Sequence, residues 1–69
     1  MDKFSQHQEV MHTKDLPNIP HRVRITFVHN LYNPTLYSCQ SLDGKKDLAF
    51  YENELESVWE HDKRVGIIP

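Results

Sequence analysis

An all-β fold is predicted by three features of this 69-residue chain. Residues 22–28, RVRITFV, alternate polar and apolar side chains with a period of two, the pattern of a half-buried strand. Asp43-Gly44 stands between two further strand-like runs, where an Asp-Gly pair favours a hairpin. The remaining apolar runs are short and separated by turn residues at intervals, as in small barrels and sandwiches.

Taken in order, HQEVMH (7–12) is a first strand centred on Val10, with only Val10 and Met11 apolar. TKDLPNIPH (13–21) is a loop, because Pro17 and Pro20 cannot serve a central strand. RVRITFV follows, with Val23, Ile25 and Phe27 expected on the inner face and Arg22, Arg24 and Thr26 on the outer. HNLYNP (29–34) supplies Asn30, Asn33 and Pro34 for a turn.

TLYSCQSL (35–42) is the third strand, with Tyr37 and Cys39 on one face and Leu36, Ser38, Gln40 and Leu42 on the other. The pattern leaves open which face is buried. DGKK then turns the chain into DLAFY (47–51), so residues 36–42 are expected to pair antiparallel with 47–51. ENELE (52–56) is too short for a stable helix and is expected to form one 3₁₀ turn that drops Leu55 into the core. ESVWE (56–60) resumes alternation as a last strand, with Val58 inward and Trp59 outward, and HDKRVGIIP (61–69) is a frayed tail or an edge strand. Five strands with a 3₁₀ turn before the last describe a small SH3-like barrel. The chain is expected to be one such domain over 1–69, with flexible ends at 1–6 and 61–69.

Size and composition agree with one domain. A chain this short buries only about 60% of its unfolded surface, enough for one core. The single Cys39 permits no internal disulfide, which fits a reducing cytoplasm, and the N-terminal residues lack the apolar core of a signal peptide. No apolar run approaches the roughly 20 residues that span a bilayer, so no membrane partner is expected. Net charge is −2, unevenly spread: residues 1–42 hold four basic and three acidic side chains, and residues 43–69 hold four basic and seven acidic. Nucleic-acid binding draws on clustered lysine and arginine, so this balance disfavours it.

The stretch YSCQSLDGKKDLAFYENELESV resembles the second half of small SH3-like barrel proteins of phages and prophages, the YorP-like type. Tyr37, Asp43, Gly44, Phe50, Glu52, Glu54 and Leu55 occupy the matching positions, whereas the G-D-x-V start of such barrels is replaced by HQEV. The resemblance implies the fold and a phage or mobile-element origin. It transfers no activity, because this fold hosts many functions.

Candidate sites follow from residue chemistry. Acid–base catalysis needs two carboxyl groups in contrasting environments, and Glu52, Glu54, Glu56 and Glu60 beside a turn are better explained as a solvated face. The five histidines, His7, His12, His21, His29 and His61, lack zinc-site spacing with cysteine or carboxylate partners, and Cys39 inside a strand is expected to be a buried small hydrophobe. No catalytic residue, metal or cofactor is therefore expected, and the protein is expected not to be an enzyme.

Aromatic residues exceed what a small core needs, and Tyr and Trp serve as anchors at interfaces. The leading expectation is an interaction module that binds and modulates or inhibits a host protein through Tyr51, Glu52, Glu54, Glu56 and Trp59. The alternative is a nucleic-acid-binding accessory that uses Arg22, Arg24, Lys45 and Lys46, with Tyr37 or Tyr32 stacking on bases. Either would act as a monomer or a weak homo-oligomer.

Overall fold

The computed structural model describes residues 2–67. Five strands, β1 (Glu9–His12), β2 (Arg22–His29), β3 (Leu36–Ser41), β4 (Asp47–Tyr51) and β5 (Leu55–Ser57), form one antiparallel sheet in the order β4-β3-β2-β1-β5. A 3₁₀ turn, Glu52–Glu54, links the two edge strands. This is the five-stranded SH3-like arrangement expected from the sequence.

The core follows the period-two pattern. Val10, Val23, Ile25, Tyr37, Cys39, Phe50 and Leu55 are buried together with Phe4, and Leu16, Val28 and Leu48 pack against them. The open question about β3 is thereby answered: Tyr37 and Cys39 face inward. Complete burial of one such apolar side chain contributes about 1.5–3 kcal/mol, so eight of them dominate the stability of so small a fold. Burial pushes the Cys39 thiol up to about 11, leaving it protonated.

Phe27 departs from expectation and is exposed. The β2–β3 register shifts between Ile25 and Phe27, so Ile25 opposes Cys39 whereas Phe27 opposes Ser38. The extra residue, Thr26, puts two consecutive side chains on the outer face, as a bulge does. Val28, opposite Tyr37, takes the inward place.

The hairpin between β3 and β4 forms as predicted, but by a different turn. Only Gly44 has positive φ, at 78°, and Asp43 does not. Ser41 C=O accepts from the Gly44 N–H at 2.9 Å, and the Asp43 carboxylate accepts from Ser41 Oγ at 2.6 Å and Lys45 N at 3.0 Å. The aspartate therefore caps the turn with its side chain instead of adopting left-handed backbone.

The last strand is shorter than expected. Val58 and Trp59 belong to a helix, α1 (Val58–Arg64), not to a strand. Ser57 caps it: its Oγ accepts from Glu60 N at 3.0 Å while Glu60 Oε1 accepts from Ser57 N at 3.2 Å, a reciprocal capping box. Gly66, at φ 88°, ends it, with Ile67 N donating to Asp62 O at 2.8 Å and Gly66 N to Lys63 O at 3.3 Å, the Schellman pattern. Residues 61–67 of the expected tail or edge strand are the end of this helix and its cap.

The described parts of the two ends, residues 2–6 and 61–67, make specific contacts. Phe4 is buried, its ring edge-on to Tyr37 at 5.6 Å, and its N–H donates to the Tyr37 hydroxyl at 3.2 Å. That hydroxyl donates to Glu52 Oε1 at 2.9 Å, which also accepts from Lys3 N at 2.8 Å. Residues 1, 68 and 69, the outermost of those ends, lie outside the described residues.

Tyr37→Phe keeps the ring but removes the hydroxyl between Phe4 and Glu52. It is expected to lower stability by about 1–2 kcal/mol, since a buried donor is left unpaired, and to loosen residues 2–5. Urea unfolding, with hydrogen exchange at the Phe4 amide, measures both effects.

Candidate interaction surface

The acidic residues of the candidate partner surface are committed to the fold. Glu54 Oε1 accepts from Tyr51 N at 2.9 Å, and its Oε2 lies 2.8 Å from Lys14 Nζ. Glu56 takes Arg64 Nη2 at 2.7 Å and Nε at 3.4 Å, tying α1 to β5. Glu60 belongs to the helix cap and lies 3.8 Å from Lys3 Nζ, while Glu52 holds Lys3 N and the Tyr37 hydroxyl. These donors hold Glu52, Glu54 and Glu60 below the usual carboxylate range: for Glu52 chiefly the Lys3 N–H, for Glu54 the Lys14 ammonium, and for Glu60 the Ser57 N–H.

The basic alternative is similarly compensated. Arg22 Nε and Arg24 Nη2 bind the two oxygens of Glu9 at 2.7 and 2.9 Å, which lowers the Glu9 pKa. Lys45 and Lys46 are exposed in the β3–β4 turn, at the other end of the outer face from Tyr32. Tyr37, offered as a base-stacking group, is fully buried and cannot stack on a ligand.

Tyr51 and Trp59 are exposed, as expected, but on different structures. Trp59 sits on α1, with Lys63 Nζ 4.8 Å above its ring. Tyr51 lies on the outer face of the sheet, opposite Leu36, which in turn opposes His29. Beside that row the Phe27 and His29 rings meet at 4.8 Å, and Tyr32 stands edge-on to His29 at 6.2 Å. Phe27 is 54%, Tyr32 53%, Tyr51 42% and Leu31 98% exposed.

One end of the outer face is thus aromatic and the other holds the Glu9–Arg22–Arg24 cluster. His29 is fixed within the aromatic end by Ser38 Oγ, 2.7 Å from its Nε2. Next to it lies an open cavity of about 660 Å³, bounded by Asp2, Leu31, Tyr32, Pro34, Thr35 and Glu52; the Asn33–Pro34 bond of this loop is cis. Of these lining residues, Thr35 Oγ1 donates to Asp2 Oδ1 at 3.3 Å. Sequence reasoning placed Phe27 in the core and left Leu31 unremarked; the bulge that exposes Phe27 has no marker in the residue types.

Among the described residues His12 is the one buried imidazole. It stacks on Phe50 at 4.8 Å and 9°, with His21 at 4.8 Å on a tilt. Its Nε2–H donates to Pro20 O at 3.0 Å, and Nδ1 is buried without a partner among the described residues. No three His, Cys, Asp or Glu side chains of the described residues gather as a metal site. Among these residues, too, no helix is long and apolar enough to cross a membrane.

No family model, no curated protein and no solved structure matches the chain. The functional reading therefore rests on the geometry above.

Burial holds the His12 pKa below 6.5, aided by the positive charge of Lys14 and of His21 when protonated, and opposed by the Pro20 carbonyl. The unfolded chain then takes up the proton first. Stability present above pH 6.5 is lost as pH falls through the lower folded value, whereas the depressed carboxylates act in the same direction only below 4.5. Urea midpoints are expected to fall between pH 6.5 and 4.5, and His12→Phe is expected to flatten that slope.

Proposed function

We propose that this chain is a non-catalytic interaction module that binds a protein through the aromatic end of its outer sheet face. The observation that carries the reading is the joint exposure of Phe27, Leu31, Tyr32 and Tyr51 around His29, beside an open cavity. Large contiguous apolar patches on the surface of a monomer mark sites of interaction. Tyrosine and phenylalanine on a stiff sheet lose little conformational freedom on binding, which suits them as anchors.

This moves the surface expected from the sequence. Tyr51 remains part of it, whereas Glu54 and Glu56 are occupied inside the fold and Trp59 stands apart on α1. The carboxylates beside the aromatic end are Asp2 and Glu52, so the complementary partner surface is apolar with a basic rim. The resemblance to phage barrel proteins suggests a host protein as that partner, modulated or inhibited by being bound. Nucleic acid is the weaker reading, because Glu9 engages both Arg22 and Arg24 and offsets one of their two charges, and Tyr37 is buried.

The test is a pull-down from nuclease-treated host lysate with tagged protein. Tyr32→Ala with Tyr51→Ala is expected to abolish capture of a stoichiometric partner while the β spectrum is retained, and Trp59→Ala to leave capture unchanged. Capture lost with Trp59→Ala alone would relocate the surface to α1. Binding seen only with nucleic acid present, and lost with Arg24→Glu, would replace a protein partner by a nucleic acid.

A further inference from the structure

The two edges of the sheet are finished differently. β5 is covered by α1, which packs on both β5 and β1. β4 is the opposite edge. Ser41 N donates to Lys46 O at 3.0 Å and Glu52 N to Thr35 O at 2.8 Å, so the hydrogen-bonded pairs of the β3–β4 ladder are those of Lys46, Leu48, Phe50 and Glu52. The N–H and C=O groups of the alternate residues, Asp47, Ala49 and Tyr51, consequently point away from β3. Of these, Tyr51 N donates to Glu54 Oε1 and Tyr51 C=O accepts the first bond of the 3₁₀ turn; Asp47 and Ala49 have no main-chain partner on this side among the described residues.

This edge lacks the usual protections. It has no proline and no bulge, and its outward residues carry a single charge, Asp47. All three of those residues are exposed.

We propose that β4 pairs antiparallel with β4 of a second copy about a two-fold axis at Ala49, joining two molecules into one continuous sheet. The sequence of the edge is self-complementary in this register. Ala49 meets Ala49, the small side chain that permits close approach. Asp47 lies opposite Tyr51 of the other copy on the outer face, carboxylate against phenol, and Leu48 lies opposite Phe50 on the inner face. One step further, Lys46 faces Glu52 of the other copy, whose Oε2 makes no hydrogen bond among the described residues.

Main-chain bonds run from Ala49 N–H to Ala49 C=O, made twice across the axis, and Asp47 N–H reaches the second lone pair of Tyr51 C=O, whose first serves the 3₁₀ turn, without disturbing the Glu54 cap. Other two-fold registers do worse. An axis at Asp47 sets two aspartates opposite each other, an axis at Leu48 or Phe50 leaves part of β4 unpaired, and an axis at Tyr51 runs into the 3₁₀ turn. Because each aromatic end includes Tyr51 next to this edge, pairing also brings two outer faces side by side.

Analytical ultracentrifugation from micromolar to millimolar concentration, with hydrogen exchange at the Ala49 amide, tests the pairing. The mass is expected to rise from 8.2 kDa to twice that value, with exchange at Ala49 slowing in parallel. Ala49→Pro removes an N–H that the β3–β4 ladder does not use, and Ala49→Glu sets two carboxylates face to face across the axis. Both variants are expected to keep the β spectrum and stay monomeric. A wild-type monomer at millimolar concentration overturns the proposal. So does a dimer that survives both substitutions, or one whose Ala49 amide exchanges as fast as in the monomer.

Discussion

The extra residue in β2 at Thr26 decides which side of the sheet every later side chain of that strand occupies. Before it, Val23 and Ile25 point into the core; after it, Val28 does, and Phe27 and His29 point out. Because side chains alternate strictly along a strand, one inserted residue exchanges the two faces for the rest of its length. The same shift closes the core against Tyr37 and builds the aromatic end of the outer face. Thr26 Oγ1 donates to Ser38 O at 3.2 Å, giving the inserted residue a hydrogen bond within the sheet.

Charge in this protein is spent mostly on joining segments. Glu9 brackets Arg22 and Arg24 across β1 and β2, Glu54 ties the 3₁₀ turn to Lys14 of the β1–β2 loop, and Glu56 ties α1 back to β5. Solvent-exposed ion pairs add little to stability, so their part is to fix the positions of loops, while the buried apolar residues supply the stability. An acidic run that resembles a binding face in one dimension is largely consumed when the chain closes. The exposed rings of Phe27, Tyr32 and Tyr51 join no such ion pair, and this contrast is what favours them in the proposed surface.

Much of the fold was legible because it depends on local rules. The alternation of RVRITFV, the Asp-Gly turn and the single 3₁₀ turn before Leu55 each reflect short-range preferences, and all three elements are present. The helix was missed because ESVWE continues the alternation of a strand, which masks the start signal within it, while the stop signal lies six residues beyond. Ser57 with Glu60 forms a capping box, and Gly66 supplies the left-handed end; weighed together, they define a helix of seven residues. The bulge could not be found this way, since Thr26 is as suitable for a regular strand as for a bulged one. The candidate surface inherits that limit: Tyr51 was identified, but Phe27 was assigned to the core.

A chain of this size has net stability on the order of 5 kcal/mol, so the contacts at its periphery matter as much as individual core residues. Phe4 extends the core beyond the strands, and the Phe4–Tyr37–Glu52 chain of hydrogen bonds fastens it to the 3₁₀ turn. That turn joins β4 to β5, so the N-terminal residues brace the place where the open sheet changes edges. Asp2 and Glu52 meet the β2–β3 loop at the same place, around the cavity beside Tyr32. The brace and the candidate surface therefore share residues. Glu52 thus serves twice, accepting from the Tyr37 hydroxyl and the Lys3 N–H on one side and lining the cavity on the other.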